Sequence, residues 1–266
     1  MCKKIGFIGC GNMGSSMVGG LINKEFLSKE DFFVSAKSEE SKKRLEEKFG
    51  VNVRSKNIDI VKESDVIVLA VKPYMYEKVI KEVKDFIRKD QIIVSIAAGI
   101  DIKDLENWIG EDFKIVKTMP NTPALVGEAM SAICPNKNIK EEELKYIMSM
   151  FEAFGECVVL EEKDFHAFIA LCGSSPAYVF MFIEAMADGA VKLGIPRDKA
   201  YKMAAQSVLG SAKMVLETKE HPGVLKDMVC SPGGTTIEAV AELENNNFRS
   251  TVIKAMDSCA NKSKNM

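Results

Sequence analysis

Two hydrophobic patterns divide the chain near Glu162. Before it, short apolar runs alternate with amphipathic stretches. The runs at Ile5–Ile8, Phe32–Ser35, Asp65–Val71, Gln91–Ile96 and Lys114–Lys117 predict strands, with a shorter one at Val51–Val53. Asp65–Val71 is a continuous β-branched run, as a central parallel strand carries. Met130–Cys134 and Cys157–Leu160 predict two more. Helical spacing falls between the runs: Met13–Ile22, Glu39–Phe49, Asn57–Glu63, Tyr76–Ile87 and Lys140–Phe154. Repeated strand-helix units predict a doubly wound, Rossmann-type parallel sheet, an α/β fold. Ligands then sit beyond the carboxyl ends of the strands, where Lys72, Ala97 and Asn121 fall. The small Ala97 and Ala98 either leave room for a flat ring or simply pack.

After Glu162 the strand pattern stops and helical spacing takes over. Pro176 suits a helix first turn, with Ser175 as the cap. That helix runs to about Leu193 and is apolar around most of its circumference, with Glu184 and Asp188 as a solvated polar strip. Gly194–Pro196 breaks it. Arg197–Glu217 follows, with Ala200, Ala204, Ser207, Ser211 and Ala212 on one face for close helix approach. An apolar helix of this kind needs cover on every side, which a second subunit would supply. The domains expected are residues 1–162, a dinucleotide-binding sheet domain, and 163–266, an all-helical dimerisation and substrate domain.

Composition narrows the class. The chain has 266 residues, 47% hydrophobic and 28% charged, which excludes a disordered chain. A formal charge of -2 is no footprint for nucleic acid. Two histidines, His166 and His221, are poor material for a metal site or a Ser-His-Asp triad. Seven cysteines, none spaced C-x-x-C, point to reduced thiols in the cytoplasm. No stretch of eighteen uncharged apolar residues marks a membrane span, and Ile5–Ile8 is too short for a signal-peptide core.

The chemistry sits at two glycine-rich helix starts. Gly9-Cys10-Gly11-Asn12-Met13-Gly14 follows a strand and opens a helix, which is the dinucleotide-binding arrangement. Gly9 permits the tight turn, Gly11 admits a pyrophosphate close to the backbone, and Gly14 lets helix and strand pack. A carboxylate about 20 residues on would select NAD. The second strand ends instead in Ser35-Ala36-Lys37-Ser38, two hydroxyls and an ammonium, which favours NADPH with NADH as a weaker substitute. Ser231-Pro232-Gly233-Gly234-Thr235-Thr236 precedes a second helix and predicts a second anion site, sized for a carboxylate. The hydroxyls of Thr235 and Thr236 either donate to a ligand or cap the helix.

Together these residues resemble the pyrroline-5-carboxylate reductase family over nearly the whole chain. The resemblance rests on Gly9–Gly14, Ala70-Val71-Lys72-Pro73, Met119-Pro120-Asn121-Thr122-Pro123, Ser174-Ser175-Pro176-Ala177-Tyr178-Val179 and Ser231–Thr236 with Glu238-Ala239. Ser175 stands where the family commonly has glycine. The resemblance implies a homo-oligomer built on an interlocked dimer; the charge and hydropathy above point to no nucleic acid or membrane partner. It implies cofactor contacts from Gly9, Gly11, Asn12, Met13, Gly14, Ser35, Lys37, Asn57, Ala70, Val71, Lys72, Pro73 and Ala97. It implies substrate contacts from Met119, Asn121, Ser231, Gly233, Gly234, Thr235 and Thr236, with Thr236 and Lys72 in catalysis. The substrate implied is a small cyclic imine carrying a carboxylate. A protonated imine is already electrophilic, so a strong general acid is not required. A β-hydroxyacid dehydrogenase would need a lysine early in the second domain, and Phe165–Val191 contains none. An NADPH-sensing regulator would need no second anion site.

Overall fold

The computed structural model describes residues 3–36 and 38–265; Lys37 lies outside them. The central strand is β1 (Ile5–Ile8), buried throughout because both of its neighbours are strands and both of its faces are covered. Eight strands form one sheet among the described residues: β1, β2 (Phe32–Ser35), β3 (Asn52–Arg54), β4 (Val66–Leu69), β5 (Ile92–Ser95), β6 (Lys114–Met119), β7 (Ala129–Pro135) and β8 (Gly155–Val159). Their order is β3-β2-β1-β4-β5-β6-β7-β8. Ile5 pairs in parallel with Phe32 on one side and Val66 on the other. The order therefore reverses beside β1, which opens a crevice at its carboxyl end.

Helices α1 (Asn12–Asn23), α2 (Glu39–Phe49), α3 (Asn57–Glu63), α4 (Tyr76–Val83), α5 (Ile102–Ile109) and α6 (Glu141–Glu152) connect the strands. Side chains alternate across the sheet. Phe7, Val68, Val94 and Val116 join Met17, Leu21, Phe49 and Phe151 from α1, α2 and α6. Ile8, Leu69, Ile93 and Ile115 join Ile60, Val79, Ile80 and Leu105 from α3, α4 and α5. Covered on both faces, the strands read as unbroken apolar runs.

The structure departs from the sequence reading in three places here. β7 runs antiparallel to β6, with Met119 opposite Ala132. Residues 120–128 make only a 3-10 turn, Thr122–Val126, and a parallel crossover needs a dozen residues or more. The helix expected to reach Ile87 ends at Val83 and tightens into a 3-10 turn, Lys84–Phe86. Helix α5 carried no assignment from sequence. It starts at a capping box of Asp101 and Asp104, and the Ile102 N–H donates to Glu162 Oε1 at 2.7 Å. The buried ammonium of Lys117 secures this corner, 2.6 Å from Asp101 and 3.1 Å from Glu162.

Beyond β8 come α7 (Phe165–Phe168), a π-helical turn (Ile169–Gly173), then α8 (Ser175–Lys192), α9 (Arg197–Thr218), α10 (Pro222–Val229), α11 (Thr235–Asn245) and α12 (Phe248–Lys264). The chain divides into two compact units. One runs through Gly173 and includes the chain end from Lys262; the other is Ser174–Asn261. In the second, the small residues act as expected at one end: Ala200 and Ala204 of α9 are buried against Ala187 of α8. Further along, Ser207, Ser211 and Ala212 line an open groove with Phe182 and Met186. Phe180, Met181 and Leu216 are 63%, 69% and 76% exposed, so this unit leaves much apolar surface uncovered.

Ser175 is not the cap of α8. It is the first helical residue, Ser174 stands at the cap position, and no side chain closes that end. The Ser174 hydroxyl instead accepts from the Cys259 thiol at 3.2 Å. The helical run Glu162–Lys192 is long and apolar enough, by length and composition alone, to cross a membrane. Phe165–Ile183 carries no charged residue, but His166, Ser174, Ser175 and Pro176 interrupt its apolar side chains, so it is not an unbroken apolar run.

Candidate functional site

The loop after β1 is held by contacts that only glycines permit. Gly9 has φ +84°, and a Cβ there would lie 2.7 Å from Val71 Cγ1. A Cβ on Gly14 would press on Ala70 Cβ at 3.2 Å and Gly9 O at 3.3 Å, so α1 packs closely on the strand ends. A Cβ on Gly11 would meet nothing within 4 Å, because that side of the loop is open. Gly11 is the N-cap of α1 and no side chain caps the helix. The first bond inside it runs from the Ser15 N–H to Gly11 O at 2.9 Å. Helix geometry therefore leaves the N–H groups of Asn12, Met13 and Gly14 free for an anion. An open approach at Gly11 and an uncapped helix start are what a pyrophosphate requires, so these residues fit a dinucleotide.

A cleft of about 260 Å³ lies beside the loop and brings Gly9, Gly11, Ser35, Asn57 and Val71 together. The Ser35 hydroxyl accepts from the Gly9 N–H at 2.9 Å. The Ser38 hydroxyl is committed within α2, accepting from the Ser41 N–H at 3.2 Å and donating to Ser41 Oγ at 2.9 Å. There it caps the helix. Asn57 donates from Nδ2 to Glu82 Oε2 at 3.1 Å. Ser41 and Arg44 of α2 also line the cleft and were missed. Their signal was periodicity: positions 41, 44 and 48 share a face with the buried Leu45 and Phe49. Burial pushes the Cys10 thiol up, offset in part by Ser15 and by the charges of Arg44 and Lys48.

The ends of β4 and β5 form the next wall. The Ala70 N–H donates to Ile8 O at 2.9 Å, and Lys72 is exposed beyond it with no ion pair among the described residues. Pro73 opens a 3-10 turn, Pro73–Met75. Beneath lies Tyr76, fully buried, which the sequence reading placed only as a helix residue. Its hydroxyl donates to Leu69 O at 2.5 Å and accepts from Ser95 Oγ and the Ile96 N–H, both at 3.3 Å. Burial pushes its pKa up to about 12. Ala97 is buried in the core under α4 and α5 and does not line the cleft. Met119, at the end of β6, is buried against Ala132, Phe165 and Phe168. Asn121 uses both ends of its amide on backbone: Nδ2 donates to Cys172 O at 2.9 Å, and Oδ1 accepts from the Met130 N–H at 3.0 Å.

In the second unit, Ser231–Gly234 is a tight turn closed by the Gly234 N–H donating to Ser231 O at 3.0 Å. Pro232 precedes Gly233 at φ +65°, a pairing that suits the two central turn positions. A Cβ on Gly234 would fall 2.3 Å from Ser231 Oγ. Gly234 is the N-cap of α11, and no side chain caps the helix, so neither threonine hydroxyl serves as its cap. Thr235 and Thr236 occupy the first two helical positions with N–H groups that helix geometry leaves open.

Two family models match the chain. Residues 4–99 match one described as NADP oxidoreductase coenzyme F420-dependent, and 162–266 match pyrroline-5-carboxylate reductase dimerisation. The chain is 50% identical over 266 residues to pyrroline-5-carboxylate reductase of Escherichia coli (strain K12), covering 100% of this chain and 99% of that one. A solved pyrroline-5-carboxylate reductase from Coxiella burnetii superposes with TM-score 0.94 at 34% identity, covering 100% of this chain and 98% of the other. The Plasmodium falciparum pyrroline carboxylate reductase, solved with NADP bound, superposes with TM-score 0.88 at 35% identity over 98% and 97%.

Proposed function

The chain belongs to the pyrroline-5-carboxylate reductase family, and we propose that it reduces the cyclic imine 1-pyrroline-5-carboxylate to proline with NADPH. The observation that carries the substrate side is the uncapped, glycine-led start of α11, which suits a carboxylate. Bound NADPH supplies the hydride. The N–H groups of Asn12, Met13 and Gly14 take its pyrophosphate, and Gly11 leaves the approach clear. Val71, Lys72 and Pro73 border the cofactor at the end of β4, and Ala97 packs beneath the end of β5. Gly233, Gly234, Thr235 and Thr236 hold the substrate carboxylate, and the Thr236 hydroxyl hydrogen-bonds near the ring nitrogen. Holding the imine at near-attack distance is the main service of these groups, because the protonated imine needs no further activation. Lys72 attracts the anionic substrate. Asn121 acts through the backbone it ties together, and Met119 packs behind it.

Residues 1–162 serve as the cofactor domain and 163–266 as the dimerisation and substrate domain. The exposed apolar residues of α8 and α9 support an interlocked dimer in preference to a membrane span, since a family dimerisation model covers the run Glu162–Lys192. The deciding assay is NADPH oxidation with 1-pyrroline-5-carboxylate, with proline identified as product. NADPH binding without turnover of the imine would overturn the proposal.

A further inference from the structure

We propose that Arg44 is the side chain that recognises the 2′-phosphate of NADPH and so sets this chain's preference over NADH, an inference that rests on the reading of the cleft as an NADPH site. Arg44 lines the same cleft as Gly9, Gly11, Ser35 and Asn57. No carboxylate lines that cleft, so none there repels a phosphate; Glu40 and Glu47 share a shallow outer surface of α2 with Arg44. Its neighbours on α2 are spoken for: Lys42 pairs with Glu39, and Lys43 with Glu47 at 3.8 Å. Arg44 has no ion-pair partner among the described residues. Its charge is felt inside the glycine loop, where it favours the Cys10 thiolate.

Of the nearby hydroxyls, Ser38 gives its proton to Ser41 Oγ, while Ser35 and Ser41 accept and can each offer a phosphate one donor. A guanidinium presents a planar fork that grips two phosphate oxygens at once, which a hydroxyl cannot do. Arg44 is also exposed and long enough to swing onto a ligand seated beside Ser35 and Ser41. Lys37, two positions after β2 in the sequence, is the competing cation and provides the control.

The test is calorimetric binding of adenosine 2′,5′-bisphosphate and of 5′-AMP to the full chain and to Arg44→Ala, Arg44→Lys and Lys37→Ala. Arg44→Ala should weaken the bisphosphate about 10- to 100-fold and change 5′-AMP by less than about 2-fold, the range for one charge-assisted contact. Arg44→Lys should recover part of the loss. In turnover, kcat/KM should fall for NADPH and hold for NADH. Equal weakening of both probes, no weakening, or a loss confined to Lys37→Ala would each overturn the assignment. These probes bind without any imine. Failure of the reductase reading would show instead as an inactive protein whose bisphosphate binding still depends on Arg44.

Discussion

The backbone N–H of Gly9 donates to the Oγ of Ser35 across 2.9 Å, so the end of β2 holds the glycine loop at the end of β1. On the proposed reading of the cleft, Ser35 serves the loop as well as the cofactor.

Ser35→Asp keeps an acceptor for the Gly9 N–H and places a carboxylate where a 2′-phosphate would sit. NADPH should give the higher kcat/KM in the unchanged protein, and the variant should reverse or erase that preference. Ser35→Ala removes the acceptor and should weaken both cofactors alike. Steady-state kinetics with the two cofactors check all three statements; a clear preference of the unchanged protein for NADH would refute the reading of β2.

Gly11 and Gly14 should separate binding from stability. Gly11→Ala adds a methyl to open space at φ -73°, so the free protein should melt nearly unchanged while NADPH affinity falls. Gly14→Ala drives a methyl against Ala70 and Gly9, which should cost on the order of 1–3 kcal/mol of stability. Denaturant titration and cofactor binding on both variants measure the contrast. A Gly11→Ala protein that binds NADPH normally would contradict it.

Tyr76 ties the ends of β4 and β5 through one buried hydroxyl. Tyr76→Phe leaves Leu69 O and the Ile96 N–H without that partner and should cost about 1–3 kcal/mol. The pH dependence follows from a pKa raised from 10.0 to about 12. The folded state keeps the phenolic proton more tightly, so this contribution is complete below pH 10 and is lost as pH rises toward 12. Its size is about 2–3 kcal/mol. Stability curves of the two proteins should converge across that window and stay parallel below it.

Thr236→Ala removes a hydroxyl that does not cap α11, so stability should barely change. If the hydroxyl engages the ring nitrogen mainly in the transition state, kcat for the imine should fall ~10²-fold, about 2.7 kcal/mol. NADPH affinity should hold, because the proposed site for the cofactor phosphates is the other loop, Gly9–Gly14. Unchanged kcat and kcat/KM would remove Thr236 from the chemistry.

The exposed apolar surface of α8 and α9 calls for a partner copy. Light scattering should give a dimer or a multiple of it at working concentration. Full activity at a monomeric mass would refute the interlocked arrangement. Charged substitution at Leu216, 76% exposed, should dissociate the assembly without unfolding the first unit.

Much of this protein is local in origin and was readable from one dimension. The alternating runs defined the strands, because a strand buried on both faces must be apolar throughout. The separate roles of Gly9, Gly11 and Gly14 followed from their order between a strand and a helix, and the missing acid after Phe32–Ser35 followed from counting. Even α5, which went unassigned, carries Ile102, Leu105 and Ile109 at helical spacing behind Asp101. Other features came only with the tertiary structure. The reversal of β7 was decided by the reach of residues 120–128. The commitment of Ser35 to Gly9, the reach of Tyr76 to the end of β5 and the arrival of Arg44 beside Gly9 join residues about 20 or more positions apart, where periodicity carries no information. Spacing and propensity act within one element, whereas these partners are chosen by which faces pack together, and that choice belongs to the whole sheet and its helices.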